Sequence, residues 1–171
     1  MDRVDLDLYS NSLSELADDA TRSLLETARQ KQVEFVLDVD EIDVVVDRNL
    51  MIAVIRNLTG NALKFTDPGD RVMLSATTEG DKAIFSVADN GIGMKPEAVD
   101  ALFHLDQHRS TTGTSGETGT GLGLLLCKEY VGMHGGEISV ESTLGKGTTF
   151  RFSIPLQIAE QNTDPQQSAV A

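Results

Sequence analysis

At 171 residues, 40% of them hydrophobic and 24% charged, the chain has the make-up of one globular domain large enough to enclose a core. Its 14 basic residues against 27 acids give a formal net charge of -13, which argues against a nucleic-acid or anionic-membrane surface but leaves room for a local nucleotide site. The one cysteine excludes an intramolecular disulfide, no apolar stretch approaches the roughly 20 residues of a membrane span, and the start Met1-Asp2-Arg3-Val4-Asp5 is no signal peptide. A soluble, cytoplasmic chain is expected.

From the start, Val4, Leu6 and Leu8 alternate with Asp5, Asp7 and Tyr9, the period of a short strand or extended arm. Asn11 or Ser12 then caps a helix expected over about 12–31. There Leu13, Leu16, Ala17, Ala20, Leu24, Leu25 and Ala28 recur at three and four, and Glu15, Asp18 and Asp19 sit early, as the helix dipole favours. Val33, Phe35, Leu37 and Val39 alternate as a strand, and Ile42 to Val46 gives a second, shorter one beside it in sequence. Asp47 suits the N-cap of the next helix, whose apolar positions Leu50, Met51, Val54, Ile55, Leu58, Ala62 and Leu63 run to a stop at Asp67-Pro68-Gly69. Within it Asn57 and Asn61 lie four apart and share a face, with Lys64 one turn on. Either they line a polar pocket or they are solvated helix-face residues.

Arg71 to Thr78 and Lys82 to Ala88 alternate around the hairpin turn Glu79-Gly80-Asp81. The second strand runs into Asp89-Asn90-Gly91-Ile92-Gly93-Met94, which is either a carboxylate set beside backbone that a flat ligand can approach or an ordinary strand exit. It lacks the third glycine of a dinucleotide fingerprint. Pro96 opens a short helix through Val99 to Phe103. Asp106 to Thr120 is rich in Thr, Ser and Gly, and Arg109 is its only cation; a loop of that length in a small domain reads as a lid. It leads into Gly119-Thr120-Gly121-Leu122-Gly123-Leu124, either a plain connection or a phosphate site at the start of a helix that continues to Met133. Inside that apolar helix Cys127 reads as a buried structural thiol. His134-Gly135-Gly136 ends it, Glu137 to Ser142 and Thr148 to Ile154 form two last strands around Leu144-Gly145-Lys146-Gly147, and the stretch from Gln157 onward reads as a disordered tail, 157–171.

Taken together, Asn57-x-x-x-Asn61-Ala62-x-Lys64, Asp89-x-Gly91-x-Gly93, Phe103, Gly119-x-Gly121-x-Gly123 and Gly145-x-Gly147-Thr148-x-Phe150 follow one another in a familiar order. The chain resembles, over about residues 4–156, the ATP-binding catalytic domain of a two-component sensor histidine kinase, within the superfamily that includes gyrase B, the Hsp90 chaperones and MutL. The resemblance implies an α+β Bergerat fold: a two-layer sandwich with a mixed, mostly antiparallel sheet of about five strands, covered on one face by three helices, plus a short N-terminal strand pair. It implies one catalytic domain over 1–156 with a lid at about 104–120.

The resemblance also implies roles. Asn61 would hold Mg²⁺ through its side-chain oxygen, with Asn57 near the phosphates or their metal shell and Lys64 giving them a positive charge. Asp89 would accept a hydrogen bond from the adenine amine, with Gly91, Gly93 and Met94 around the base. Gly119, Thr120, Gly121, Leu122, Gly123 and Leu124 would hinge the lid and offer N–H groups to the triphosphate, while Gly145, Gly147 and Thr148 close the base end. Phe103 resembles the aromatic that packs under the lid, and Arg109 is a candidate for the γ-phosphate. ATP-hydrolysing relatives carry a Glu where this chain has Asn57, and an amide is no general base, so transfer of the γ-phosphoryl group from Mg-ATP is expected over hydrolysis. The phosphoacceptor of such kinases lies in a helical hairpin with a His-Glu-x-x-Thr-Pro type segment. His104, His108 and His134 do not match it and read as surface or local structural residues. A histidine on a separate phosphoacceptor and dimerisation domain is the implied acceptor, a response regulator the indirect partner, and a monomer the expected state. A Ser/Thr kinase of the anti-sigma-factor type and a non-catalytic nucleotide-binding module are the competing functions.

Overall fold

The computed structural model describes residues 5–104, 113–115 and 122–156. Strand β1 (Leu8–Ser12) leads into helix α1 (Leu13–Lys31), and Ser12 is the N-cap, its hydroxyl facing the Glu15 N–H at 3.5 Å. Strands β2 (Glu34–Val39) and β3 (Asp43–Asp47) follow, and Asp47 caps α2 (Arg48–Lys64) by accepting the Leu50 N–H at 3.2 Å. The hairpin β4 (Arg71–Glu79) and β5 (Lys82–Asp89) turns at Gly80, whose φ of 60° needs no strain in glycine. Short α3 (Pro96–Ala101), α4 (Gly123–Met133), β6 (Ile138–Thr143) and β7 (Gly147–Pro155) complete the described chain.

Five strands form one sheet in the order β2-β4-β5-β7-β6, parallel between β2 and β4 and antiparallel elsewhere. Alternation places Val72, Leu74 and Ala76, then Ala83, Phe85 and Val87, then Phe150, Phe152 and Ile154 on the buried face. Phe85 pairs with Phe152 across β5 and β7, the rings stacked at 4.5 Å, and burying each such ring contributes about 1.5–3 kcal/mol. Against this face lie the buried positions of α1 (Leu13, Leu16, Ala17, Ala20), α2 (Met51, Val54, Ile55, Leu58) and α4 (Cys127, Val131). The two-layer sandwich, its mixed sheet and its three covering helices are as the sequence implies, with α3 as a fourth, short helix.

Two expectations are corrected, and one falls outside the described residues. The first strand sits at Leu8–Ser12 rather than over Val4 to Tyr9, because it is the stretch from Leu8 to Ser12 that finds a partner: it runs antiparallel to β3, Leu8 opposite Asp47 and Ser12 opposite Asp43. The neighbouring β2 and β3 therefore belong to different sheets. The short helix ends at Ala101 and leaves Phe103 in the turn beyond it. Residues 157–171, expected to be a disordered tail, lie outside the described residues.

Candidate functional site

Helix α2 is the central helix of the layer, with α1 packed on one flank and α4 on the other. Its polar face carries Asn57, Asn61 and Lys64, all half-buried. The Asn57 amide nitrogen donates to the Ala53 carbonyl at 3.2 Å, which leaves its oxygen against Gly123 at the start of α4; a Cβ at Gly123 would run into that oxygen. Leu122, the N-cap of α4, gives no side-chain cap, and no acid stands in the first turn. Among the described residues no side chain caps that turn, an arrangement that suits an anion. Asn61 bonds to none of the described residues. The Lys64 ammonium stands 5.1 Å over the Phe65 ring.

Asp89 marks the other end. Its half-buried side chain accepts the Gly91 N–H at 2.9 Å, and a backbone hydrogen bond from Thr148 also favours the carboxylate. Desolvation outweighs both and, with the nearby Asp70 charge, pushes its pKa up to about 6. The loop that follows is wedged between two backbones. Ile92 donates to the Phe65 carbonyl at 3.1 Å and accepts from Gly145 at 2.7 Å. A Cβ at Gly91 would meet that same Phe65 carbonyl, one at Gly93 the Thr143 carbonyl, and one at Gly147 the Asp89 carbonyl; Gly93 and Gly147 also have positive φ, 65° and 120°. The buried Thr148 hydroxyl lies 2.8 Å from Ser142 Oγ, which accepts the Met94 N–H at 2.8 Å and donates to the Gly147 carbonyl at 3.0 Å. Ser142 thus ties the loop at Met94 to the β6–β7 turn, a tie that the sequence hides because serine inside a strand reads as a solvent-facing residue.

The structure brings together Asn57 with Gly123, and Asp89 with Gly91, Gly93, Met94 and Thr148. Phe103 is half-buried against the core under the Lys128 ammonium, 5.6 Å from its centroid, and Leu124 is half-buried on α4. Leu122 is half exposed. Arg109, Gly119, Thr120, Gly121 and His108 lie outside the described residues, as does most of the expected lid. Near its middle, Thr114 donates its N–H to the Lys64 carbonyl at 3.0 Å and its hydroxyl to the Thr66 carbonyl at 2.6 Å. Of the other histidines, His104 is exposed, and His134 accepts the Asp47 N–H at Nε2 (3.0 Å) while Nδ1 faces the Tyr130 carbonyl at 2.7 Å, a local structural role. Cys127 is buried, and burial pushes its thiol up to about 12, so it is no nucleophile.

Among the described residues no cluster of three or more His, Cys, Asp or Glu side chains could hold a metal alone. The Asn61 side chain, unbonded among the described residues and one turn on from Asn57 on the same face, fits a magnesium ion brought with phosphate oxygens, which commonly keeps waters and takes few protein ligands. A groove of about 350 Å³ between α1 and α2 is lined by Leu24, Ala53, Arg56, Asn57, Gly60 and Asn61. The sequence gives no sign of it, since Arg56 and Gly60 read there as helix surface. Also among the described residues, no helix is long and apolar enough to cross a membrane.

Residues 46–158 match the family described as histidine kinase-, DNA gyrase B-, and HSP90-like ATPase. The circadian input-output histidine kinase CikA of Synechococcus elongatus is 40% identical over 161 residues, 92% of this chain and 21% of the relative. The sensor protein SrrB of Staphylococcus aureus is 38% identical over 109 residues, 64% of this chain and 19% of its own length. The chain thus spans about a fifth of the curated relatives it matches. Among solved structures, the catalytic domain of histidine kinase ThkA superposes with a TM-score of 0.76 at 27% identity, covering 88% of this chain and 96% of that one. Full-length ShkA in complex with AMPPNP gives 0.75 at 28%, covering 89% and 32%. The chain belongs to the family of histidine kinase-, DNA gyrase B- and HSP90-like ATPases, and these relatives are sensor histidine kinases and their catalytic domains.

Proposed function

We propose that residues 1–156 form a catalytic domain that binds Mg-ATP in the cytoplasm and donates its γ-phosphoryl group to a histidine on a separate phosphoacceptor and dimerisation domain, from which a response regulator then receives it. The observation that carries the reading is Asn57: a carboxamide, its nitrogen engaged by the Ala53 carbonyl, faces the start of α4 where a water-activating carboxylate would otherwise stand. It takes no proton from water, so a nucleophile with its own lone pair has to be supplied from outside. A neutral imidazole nitrogen does this. Its lone pair forms the P–N bond as the bond from the γ-phosphorus to the bridging oxygen breaks, and that electron pair leaves on ADP.

In this reading Asp89 accepts the adenine amine, with Gly91, Gly93, Met94 and Thr148 around the base and Phe103 under the lid. Asn61 holds the magnesium ion, which neutralises phosphate charge when bound. Asn57, Lys64 and Arg109 steady the phosphates, and the stretch from Gly119 through Thr120, Gly121, Leu122 and Gly123 to Leu124 supplies backbone N–H groups and the hinge. The binding of AMPPNP by ShkA supports a nucleotide site in this fold. Incubation with γ-labelled ATP and a phosphoacceptor hairpin should yield acid-labile, alkali-stable phosphohistidine on the hairpin. Acid-stable label on serine would instead establish a Ser/Thr kinase, and tight nucleotide binding with no transfer to any acceptor a non-catalytic module.

A further inference from the structure

Asp89, Thr148 and Ser142 stand in one row across three strands: Asp89 of β5 is opposite Thr148 of β7, and Thr148 is opposite Ser142 of β6. Directly opposed residues share a face, and Thr148 shares its face with buried Phe150 and Phe152, so the row lies on the helix-covered side of the sheet. Thr148 is the middle member, with the carboxylate assigned to the base on one side and a serine on the other. A hydroxyl donates or accepts according to its neighbours, and the neighbours of Ser142 settle the matter. Ser142 Oγ has one proton and three contacts. It accepts the Met94 N–H at 2.8 Å and, since a carbonyl cannot donate, gives its own proton to Gly147 at 3.0 Å. The remaining contact, 2.8 Å to Thr148 Oγ1, is then a hydrogen bond only if Thr148 donates. Were Ser142 to donate to Thr148 instead, it and the Gly147 carbonyl would face each other at 3.0 Å with no proton between them. Nor does the Thr148 proton go to Asp89, whose carboxylate is bonded by the backbone N–H groups of Gly91 and Thr148.

We propose that Ser142 is a positioning residue for base specificity. By drawing the Thr148 proton away from Asp89, it leaves an edge that only accepts hydrogen bonds, which admits the amine of adenine and rejects the carbonyl oxygen that hypoxanthine and guanine carry at the same place. The proposal rests on the reading that this end of the site holds the purine of a nucleotide. An oxygen that has given its proton to Ser142 keeps two lone pairs. Beside a carboxylate they make a row of acceptors, to which the adenine amine brings N–H groups. A base carbonyl brings lone pairs alone, and leaving buried acceptors unmatched costs more than a lost contact, which is why a polar site discriminates sharply. Asp89 by itself does not decide the base: it accepts the amine of adenine or the ring N–H of a 6-oxopurine. A free Thr148 proton would turn to the base carbonyl and complete the pairing for the wrong nucleotide. Ser142 prevents this, and is itself held by two backbone groups that cannot turn, the Met94 N–H and the Gly147 carbonyl.

The test uses the full chain at pH 8, where Asp89 is ionised, and reads Kd for magnesium ATP and for magnesium inosine triphosphate, which has a 6-carbonyl and nearly the same outline. Wild type should prefer ATP by about a hundredfold or more. Ser142→Ala should cut that preference about tenfold, tightening the inosine nucleotide as well as loosening ATP. A pocket merely loosened by the change would weaken both nucleotides alike, and an unmoved ratio overturns the proposal. In a Thr148→Val background, Ser142→Ala should leave the ratio where Thr148→Val alone puts it, because the hydroxyl through which the serine acts is gone. A further drop of the same size in the double variant overturns the proposal too. Should Ser142→Ala fail to fold, Ser142→Cys takes its place with the same two outcomes, its thiol being a weak donor and a weak acceptor of similar size. A wild type that binds both nucleotides equally also overturns it. If wild type binds no nucleotide at all, the nucleotide reading itself falls, whereas normal ATP binding with an unmoved ratio removes only the role of Ser142.

Discussion

The two ends of the site are built from different materials. At the Asp89 end, backbone closes on backbone: Gly91, Gly93 and Gly147 each bring their Cα against a carbonyl, and the hydroxyls of Ser142 and Thr148 lock the loop to the β6–β7 turn. At the asparagine end the groups are side chains with little to do in the free protein. Asn61 bonds to nothing described, the first turn of α4 has no side-chain cap, and the Lys64 ammonium rests on Phe65. One end is formed before any ligand arrives, and the other keeps its polar groups in reserve. That division suits a flat, invariant base at the first and a phosphate chain with its ion and acceptor at the second.

Substitutions at the two ends should therefore fail in different ways. The largest effect is expected at Gly147, where alanine meets both a left-handed φ and the Asp89 carbonyl. Gly147→Ala should lose about 2–4 kcal/mol of stability in urea unfolding and nearly all nucleotide binding; a variant with wild-type stability would break the contrast. Next comes Asn61→Ala, which removes no internal bond. Calorimetry should find magnesium-dependent ATP affinity down about tenfold or more, with stability within about 0.5 kcal/mol of wild type.

Asp89 sharpens the comparison through pH. Its folded pKa, about 6, is raised above the ordinary value of 3.8, so the folded state binds the proton more tightly than the unfolded chain does. The stability this group contributes is fully present below about 3.8 and is lost as pH rises through about 6, because ionising it in place is costly. Nucleotide affinity should move the opposite way, rising with pH through about 6 as the carboxylate that accepts the adenine amine forms. Asp89→Asn should then melt a few degrees higher than wild type at pH 8 while binding ATP more weakly and without that pH step. A melting temperature that drops with the affinity would mean that the carboxylate is structural. The smallest effect belongs to neither end: the hydroxyl of Thr59 is buried in α2 without a partner among the described residues, and Thr59→Val should gain about 0.5–1 kcal/mol with nucleotide binding unaltered.

The same contrast explains what could be read from the sequence. Gly91, Gly93 and Gly147 announce close backbone approach, and Asp47 and Pro96 announce helix starts, because each is a local requirement written in one residue type. The pattern of Val33 to Val39, alternating, and of Ile42 to Val46, a short apolar run, gives two strands. It says nothing of partners, so the parallel pairing of β2 with β4 and the loan of β3 to β1 had to come from the structure. Ser142 is the extreme case. On sequence it is a solvent-facing strand residue like any other, and only the three contacts found beside it single it out.

The sheet order also bears on how copies of this chain would meet. Strands β2 and β6 stand at the two ends of the order, each paired on one side, and an open strand edge is a template for pairing with another copy. Both edges carry exposed acids: Glu34 and Asp38 on β2, Glu141 on β6. Two copies meeting edge to edge would bring like charges together before any backbone hydrogen bond formed, with the net charge of -13 adding long-range repulsion. Part of the chain's acidity thus acts as a guard against aggregation, and neutralising Glu34 and Asp38 together would expose the parallel edge to the copies the carboxylates now hold away.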